Sequence, residues 1–395
     1  MRSCRRTHGE VRLYGEPRHC GCQSIPAGGD PRVTTLHELH KHGQSAWLDY
    51  IRSDLFSTGE MSALLERGVR GMTSNPTIFE QAIGHSDLYR AKINALAARK
   101  KSAEEIYDAL VFDDINAAAQ SLLPLYEATD GEDGYVSLEV PPAFCDNHEQ
   151  TEAEAHRLVK LLNLPNLMIK VPATPEGLIA FENLTADGIS VNVTLMFTLR
   201  DYEDVAHAYL RGLSRRLKSG QTLRTVSSVA SVFVSRIDAA VESRVGDALP
   251  ALLKGSVAIA NAQQIYQSFQ AIFEGAPFAE LRNHGARAQR PLFASTGTKN
   301  KAFRDVLYVE TLIGPHTVNT MPPATLHAFL EHGVVKRTID ADKAHTQEIL
   351  DACKTASIDL DEIGRELKKK GLDAFAQSFD SLMETIEKAR AASLA

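Results

Sequence analysis

Short apolar runs alternate with amphipathic stretches along most of the chain. Eight of the runs have about the length of a buried barrel strand. These runs are Ala46–Ile51, Val69–Ser74, Tyr135–Val140, Leu167–Pro172, Ile189–Phe197, Val226–Val234, Pro291–Thr296 and Thr317–Met321. The stretches between them have helical spacing of apolar residues, or carry the polar residues, prolines and glycines that mark helix ends.

Local signals mark several of these helices. The segment Thr58–Gly68 begins at a plausible cap and ends at a glycine. Thr151–Glu154 matches a capping box, and Thr174-Pro175 places a proline at the first helical position. We therefore expect helices at Leu36–His40, His156–Leu162, Leu178–Leu184, Asp201–Leu217, Gly255–Phe273, Ala302–Ile313 and Ala324–His332.

Eight strands that alternate with helices predict an α/β fold, a (β/α)₈ TIM barrel. Residues 76–134 are too long for one connection, so additional helices are expected after strand 2, including Ser102–Leu110 and Ile115–Leu123. Further helices are expected at the C-terminus from Thr338 onward, with Lys368–Lys370 as a solvated face. A doubly wound sheet is the alternative, but the glycine fingerprint that it needs after the first strand is absent.

Residues 1–33 differ from the rest of the chain. They are rich in Arg, Gly, Pro and Cys and show no hydrophobic period, which predicts a disordered extension before one catalytic domain over residues 34–395. Cys4, Cys20 and Cys22 lack the paired spacing of a zinc site, so no metal is expected. The basic N-terminus has no apolar stretch typical of a secretory signal, and the odd number of cysteines favours the reducing cytoplasm.

Charge and hydropathy exclude two classes of partner. The net charge is −7, whereas general nucleic-acid binding needs a basic face. No apolar run is long enough to span a bilayer. We therefore expect neither nucleic acid nor membrane as a partner, and both a monomer and a homodimer are compatible with the sequence.

Lys170 is the first candidate for chemistry because it stands inside an apolar run, Asn166–Pro172. A lysine there is costly to charge, since removal from water disfavours the ammonium. A neutral amine is a natural nucleophile for a carbonyl substrate. The alternative is a lysine that reaches water or pairs with a carboxylate.

The ends of the other runs favour the chemical interpretation. Working residues of TIM barrels stand at the C-terminal ends of strands, and every run has a polar or charged side chain in or just after it. They include Asp49, Thr73, Asn75, Glu139, Asn192, Thr194, Ser231, Arg236, Lys299 and Asn319. Any one of these side chains alone could cap a helix, form a turn or make an ion pair. Burial of polar or charged side chains in all eight runs at once is costly, and this favours a functional role for the set. The set suits carbon–carbon bond chemistry through an imine, and no cluster has metal-ligand spacing.

Five segments resemble the transaldolase family, whose class I members form a Schiff base, and the Lys299 segment is similar to its long bacterial subfamily. The segments are Gly71–Phe79, Val136–Val140, Leu167–Thr174, Gly188–Phe197 and Ser231–Ile237. The resemblance implies transfer of a dihydroxyacetone unit from sedoheptulose 7-phosphate or fructose 6-phosphate to glyceraldehyde 3-phosphate or erythrose 4-phosphate. It places this reaction in the non-oxidative pentose phosphate pathway, with sugar phosphates as partners and without a cofactor.

The resemblance also implies residue roles. Lys170 matches the imine-forming lysine, Asp49 the acid/base for bond cleavage, and Glu139 and Thr194 the pair that positions a catalytic water. Substrate-binding positions are Thr73, Asn75 and Asn192 around the dihydroxyacetone unit, and Ser231, Arg236 and Lys299 at the phosphate, with Arg290 as an alternative to Lys299.

Two other functions are weighed against this one. Fructose 6-phosphate aldolases resemble the chain but are shorter, and typically have glutamine at the position of Glu139 and tyrosine at that of Phe233. A barrel that only binds sugar phosphates would be favoured by loss of Lys170 or Asp49, and both residues are present.

We predict that residues 1–33 are dispensable. A chain that starts at Thr34 should fold and turn over like the full-length protein, because a segment without an apolar face buries almost nothing. Activity of the truncated chain and zinc content of the full-length chain test this. Stoichiometric zinc together with lost activity after truncation would contradict the prediction.

Overall fold

The fold is a closed barrel of eight parallel strands, seen in a computed structural model that describes residues 33–394. The strands are β1 Gln44–Asp49, β2 Gly71–Thr73, β3 Tyr135–Glu139, β4 Leu167–Pro172, β5 Val191–Met196, β6 Ser228–Phe233, β7 Arg290–Ala294 and β8 Thr317–Met321. Each strand pairs with the next along the chain, and β8 pairs with β1. The TIM-barrel prediction is confirmed, whereas the extension predicted over residues 1–33 lies, apart from Val33, outside the described residues.

Helices surround the barrel and cover one of its ends. They are α1 Thr35–Lys41, α2 Asp54–Ser57, α3 Glu60–Glu66, α4 Pro76–Gly84, α5 Arg90–Ala98, α6 Ala103–Ala128, α7 His148–Leu162, α8 Pro175–Asp187, α9 Leu199–Lys218, α10 Ser235–Val245, α11 Val257–Phe269, α12 Ala279–Asn283, α13 Leu307–Glu310, α14 Pro323–His332, α15 Lys343–Thr355 and α16 Leu360–Leu394. Helices α4 to α6 are the additional helices expected after β2. The two helices expected at Ser102–Leu110 and Ile115–Leu123 form one continuous helix, α6.

The start of α7 was predicted incorrectly. It begins at His148 because the side chain of Asn147 accepts a hydrogen bond from the Gln150 amide. Thr151 lies inside the helix, where its hydroxyl donates to the Phe144 carbonyl. The capping-box prediction for Thr151 was therefore wrong.

The helix predicted over Ala302–Ile313 is reduced to the short α13. The hydroxyl of Thr298 donates to the carbonyls of Arg304 and Asp305, at 2.9 and 3.3 Å. Side-chain hydrogen bonds of this kind compete with those of a helix. A helical period alone does not predict that competition.

A buried ion cluster closes the N-terminal end of the barrel. The Asp133 carboxylate accepts from Arg70 Nε at 2.6 Å and pairs with Arg290 Nη2 at 3.1 Å. Burial alone would raise the pKa of Asp133, but Arg290 and Arg70 outweigh it and hold the pKa below its ordinary value. Arg290 is the first residue of β7, so it lies at the end of the barrel opposite to Lys299. It is therefore not an alternative to Lys299 for a ligand at the C-terminal end.

Helix α16 crosses the C-terminal end of the barrel and needs glycines to do so. A Cβ atom at Gly364 would lie 2.3 Å from Thr198 Cγ2, and one at Gly371 would lie 2.8 Å from Leu195 Cδ2. Cβ contacts this short do not occur in real structures. A side chain at Gly364 would push α16 away from the barrel, and one at Gly371 would displace either α16 or the Leu195 side chain. The small residues thus set the distance between α16 and the strand ends.

Lys368, which lies between these two glycines in α16, holds the helix against the barrel. Its ammonium donates to the Ala173 carbonyl at 2.8 Å and to Asp201 Oδ1 at 2.6 Å. The Lys368 side chain is only 19% exposed, whereas that of Lys369 is 77% exposed. The predicted solvated face therefore does not include Lys368, whose charge is paired with a carboxylate on α9.

We predict that Asp133→Ala lowers the free energy of unfolding by about 3–5 kcal/mol, because it leaves two arginines at the barrel floor without their carboxylate. Urea unfolding followed by circular dichroism measures the change. The control is Asp130→Asn, since Asp130 is 99% exposed and 3.6 Å from Arg287, and asparagine tolerates its backbone φ of 50°. It should leave stability nearly unchanged, and equal losses in both variants would contradict the role of the cluster.

Candidate active site

A cavity of about 300 Å³ opens at the C-terminal ends of the strands. Eight of the ten predicted site residues line it, namely Asp49, Thr73, Asn75, Lys170, Thr194, Ser231, Arg236 and Lys299. Glu139 and Asn192 are not among the lining residues, although both contact residues that are. A larger cavity of about 550 Å³ lies between α9, α11, α15 and α16 and contains none of the predicted residues.

Strand register places the central side chains next to one another. Glu139 pairs with Lys170 in β3 and β4, and Lys170 pairs with Asn192 in β4 and β5. Residues paired in this way project from the same face of the sheet. Lys170 therefore has a carboxylate on one side and an amide on the other.

The Lys170 ammonium is buried and held by two acceptors. Nζ lies 3.1 Å from Glu139 Oε2 and donates to the Ser74 carbonyl at 2.9 Å. The two charged side chains are only 5% and 6% exposed. Burial raises the pKa of Glu139, and the neighbouring Lys170 charge opposes that rise. The pair can therefore exchange a proton over a short distance.

Asp49 lines the same cavity as Lys170 and contacts a pair of hydrogen-bonded hydroxyls. Thr73 donates to Asp49 Oδ1 at 2.6 Å, and the Thr73 and Thr320 hydroxyl oxygens are 2.8 Å apart. Because Thr73 uses its proton on Asp49, Thr320 is the donor to Thr73. Burial raises the pKa of Asp49, while Lys170, the Thr73 hydrogen bond and Arg236 oppose the rise. The result is a carboxylate more basic than one in water.

A β-bulge in β5 orients the Thr194 side chain towards the cavity. The register with β6 shifts between Val193 and Met196, and Leu195 has a φ of 58°. Bulges commonly redirect a side chain next to a functional site. Thr194 is fully buried, and its hydroxyl has no hydrogen-bond partner among the described residues.

Asn192 forms a buried network beneath the cavity wall. Its amide nitrogen donates to Ser137 Oγ at 3.1 Å, and its carbonyl oxygen accepts from Ser231 Oγ at 2.6 Å. Asn75 is placed differently, because its Oδ1 caps α4 by accepting from the Ile78 amide at 3.0 Å. Cap formation leaves the Asn75 amide nitrogen as the group available to a ligand.

Two cations, Arg236 and Lys299, also line the cavity. The Arg236 guanidinium carbon lies 5.1 Å from the centre of the Phe233 ring. Burial lowers the pKa of Arg236. The pKa of Lys299 is also lowered, mainly by burial and to a smaller extent by the nearby charge of Arg236. Two partly buried cations near each other favour an anionic ligand between them.

Phe375 was not foreseen as part of the site. It lies on α16 four residues after Gly371, is 4% exposed and lines the cavity. One turn further, the Ser378 hydroxyl lies 2.9 Å from that of Thr77 on α4. The spacing of Gly364, Gly371 and Phe375 on one helix face is the available signal, but it does not identify the surface that this face covers.

No helix within residues 33–394 is both long and apolar enough to cross a membrane. In the same part of the chain, no group of three His, Cys, Asp or Glu side chains is placed to hold a metal ion. Cys145 and Cys353 are free cysteines. The three cysteines of the N-terminal segment lie outside the described residues.

Known proteins resemble the chain over most of its length. Residues 46–386 match the family model described as Transaldolase/Fructose-6-phosphate aldolase. The chain is 40% identical over 366 residues to a transaldolase of Trichodesmium erythraeum, which covers 89% of this chain and 96% of the relative. A transaldolase of Thermobifida fusca is 42% identical over 366 residues, with 90% and 98% covered. One from Neisseria meningitidis serogroup A is 40% identical over 351 residues, with 89% and 99% covered. The chain therefore belongs to the transaldolase/fructose-6-phosphate aldolase family.

Proposed function

We propose that the protein is a transaldolase that moves a dihydroxyacetone unit between sugar phosphates through an imine on Lys170. The observation that carries the proposal is the buried Lys170 amine, 3.1 Å from the Glu139 carboxylate, in a cavity that also holds Asp49 and two cations. Donors would be sedoheptulose 7-phosphate or fructose 6-phosphate, and acceptors glyceraldehyde 3-phosphate or erythrose 4-phosphate. The reaction would belong to the non-oxidative pentose phosphate pathway in the cytoplasm.

Imine formation begins when the Lys170 amine attacks the ketose carbonyl. Glu139 serves as the proton carrier, since its carboxylate contacts the amine and has a raised pKa. Glu139 Oε2 is buried 3.1 Å from Lys170 Nζ, and Thr194 Oγ1 is buried without a hydrogen-bond partner among the described residues. Buried polar atoms of this kind bind water, which supports a role for this pair in holding the water of imine formation and hydrolysis.

Bond cleavage requires a base at the hydroxyl of the departing carbon. Asp49 is suited to this because burial raises its pKa and Thr73 fixes its orientation. It takes the hydroxyl proton, the carbon–carbon bond breaks, and the electron pair moves to the iminium nitrogen as an aldehyde leaves. The remaining enamine adds to the acceptor aldehyde by the reverse steps.

The substrate's other groups have matching positions in the cavity. Arg236 and Lys299 supply the cations for a phosphate, and charge-assisted hydrogen bonds to phosphate are the strong ones. Asn75, Ser231 and Thr73 supply polar groups for sugar hydroxyls, with Asn192 fixing Ser231 from below.

The family also contains fructose 6-phosphate aldolases, and two residues favour the transferase. Glu139 has a carboxylate that can relay protons, whereas the glutamine typical of the aldolases cannot. Phe233 lines the cavity and carries Arg236 over its ring in place of the aldolases' tyrosine. The presence of both Lys170 and Asp49 argues against a barrel that only binds sugar phosphates.

We predict that Lys170→Met abolishes the adduct trapped by borohydride with fructose 6-phosphate. Activity should fall by several orders of magnitude, as it does when a covalent nucleophile is lost. Mass spectrometry of the trapped protein locates the modified residue. Lys299→Met is the matched control, because it removes the other lysine of the cavity and should still be modified at Lys170. An adduct on any other lysine in Lys170→Met would refute the proposed imine.

We predict that Glu139→Gln shifts the enzyme from transfer towards simple cleavage and reversible addition of free dihydroxyacetone. An amide keeps the shape of the side chain but cannot carry the proton. The ratio of aldol addition by free dihydroxyacetone to transfer from a ketose phosphate measures the shift. An unchanged or lower ratio would show that this position does not separate the two activities.

We predict that Arg236→Ala weakens the reaction of phosphorylated donors by about 1.5–3 kcal/mol, the cost of removing a charge-assisted hydrogen bond. Most of the loss should appear in KM if the contact is the same in the ground and transition states. Kinetics with fructose 6-phosphate and with fructose separate phosphate binding from other effects. Lys301 is an exposed charge in the same loop as Lys299, so Lys301→Ala should leave the kinetics with both donors unchanged. An equal loss on both donors in Arg236→Ala would exclude a phosphate contact.

A further inference from the structure

A second cavity of about 360 Å³ lies on the outer side of Glu139, between α6, α7 and α16. Glu139 lines this cavity and does not line the substrate cavity, whereas Lys170 lines the substrate cavity alone. The Glu139 side chain keeps 6% of its surface exposed, while its Oε2 atom is buried against Lys170. The exposed part of this side chain therefore faces the second cavity.

We propose that the second cavity is the path by which water reaches and leaves the imine of Lys170. The inference rests on the proposed function, and it gives water a route that is separate from that of the sugar phosphate. A ketose phosphate that extends from Lys170 to Arg236 and Lys299 spans the substrate cavity. Water that acts at the imine must then pass beside Glu139, on the side away from the sugar.

Imine formation releases one water, which carries away two protons. When the imine forms, a bond joins the Lys170 nitrogen to carbon 2 of the ketose, and the bond between carbon 2 and its oxygen breaks. That oxygen leaves as water, with one proton from the amine and one from the Glu139 carboxylic acid. The products are an iminium, a Glu139 carboxylate and water, and hydrolysis runs through the same atoms in reverse.

The lining of the second cavity suits water at its polar side. Arg157 is fixed there, donating to Asp108 Oδ2 at 2.8 Å and to Glu154 at 2.7 Å. Tyr107 also lines the cavity, and its ring packs edge-on against Phe379 at 5.3 Å. Burial, then the charges of Asp108 and Glu139, hold the pKa of Tyr107 above its ordinary value. Its hydroxyl therefore stays protonated and can donate to water in the cavity.

The experiment narrows the second cavity by substitution and compares two reactions of the dihydroxyacetone imine, namely its hydrolysis by water and its addition to an acceptor aldehyde. Met383→Trp and Phe379→Trp each enlarge a half-buried side chain that lines the cavity, and Gln377→Trp enlarges an exposed one on the same helix. The dihydroxyacetone imine is formed from fructose 6-phosphate with continuous removal of the aldehyde product. Release of free dihydroxyacetone then reports hydrolysis. Capture is measured as consumption of added erythrose 4-phosphate in a single turnover, because release of the new ketose phosphate would itself require imine hydrolysis.

In both cavity variants, hydrolysis of the imine should slow roughly tenfold, which is part of the 10²–10⁴-fold that positioned proton transfer contributes. Capture of the acceptor should keep its wild-type rate. Gln377→Trp should change neither. An equal fall of both rates would mean that α16 has moved and would overturn the proposal. Hydrolysis at the wild-type rate in either folded cavity variant would also overturn it. A wild-type protein that traps no adduct with borohydride would instead refute the proposed function.

Discussion

The active site depends on the cost of burying charge. Lys170 and Glu139 are buried and Asp49 is half-buried at the mouth of the barrel, and such groups persist only when each has partners. Lys170 has Glu139 and the Ser74 carbonyl, and Asp49 has Thr73. The positions of these partners are fixed by strand register, so the chemistry of the site follows from how the barrel closes.

The two ends of the barrel use the same kinds of residue for opposite purposes. At the floor, Arg70 and Arg290 share the Asp133 carboxylate, so each has an anionic partner within the protein. At the mouth, Arg236 rests on Phe233 and shares the cavity with Lys299. Charges that are satisfied within the protein stabilise the fold, and those left without a carboxylate partner are available to a phosphate.

The sequence predicted the barrel well because strand length and apolar content are local properties. It also brought out Lys170, since a cation inside an apolar run is unusual wherever the chain folds. It also excludes Arg290 as a ligand at the C-terminal end, because this residue precedes the predicted run Pro291–Thr296 and so stands at the N-terminal end of its strand. The pairing of Arg290 with Asp133 could not be predicted, because it depends on tertiary contact. Phe375 was missed for a related reason, since it reaches the site only through the tertiary packing of α16.

The position of α16 along the chain has a consequence for biosynthesis. All eight strands precede α16, so they leave the ribosome before the helix that carries Phe375 and covers their ends. A nascent barrel therefore has an incomplete cavity until translation has passed Phe375. A message broken between the codons of Met321 and Phe375 therefore yields a protein with every strand but an unfinished substrate cavity.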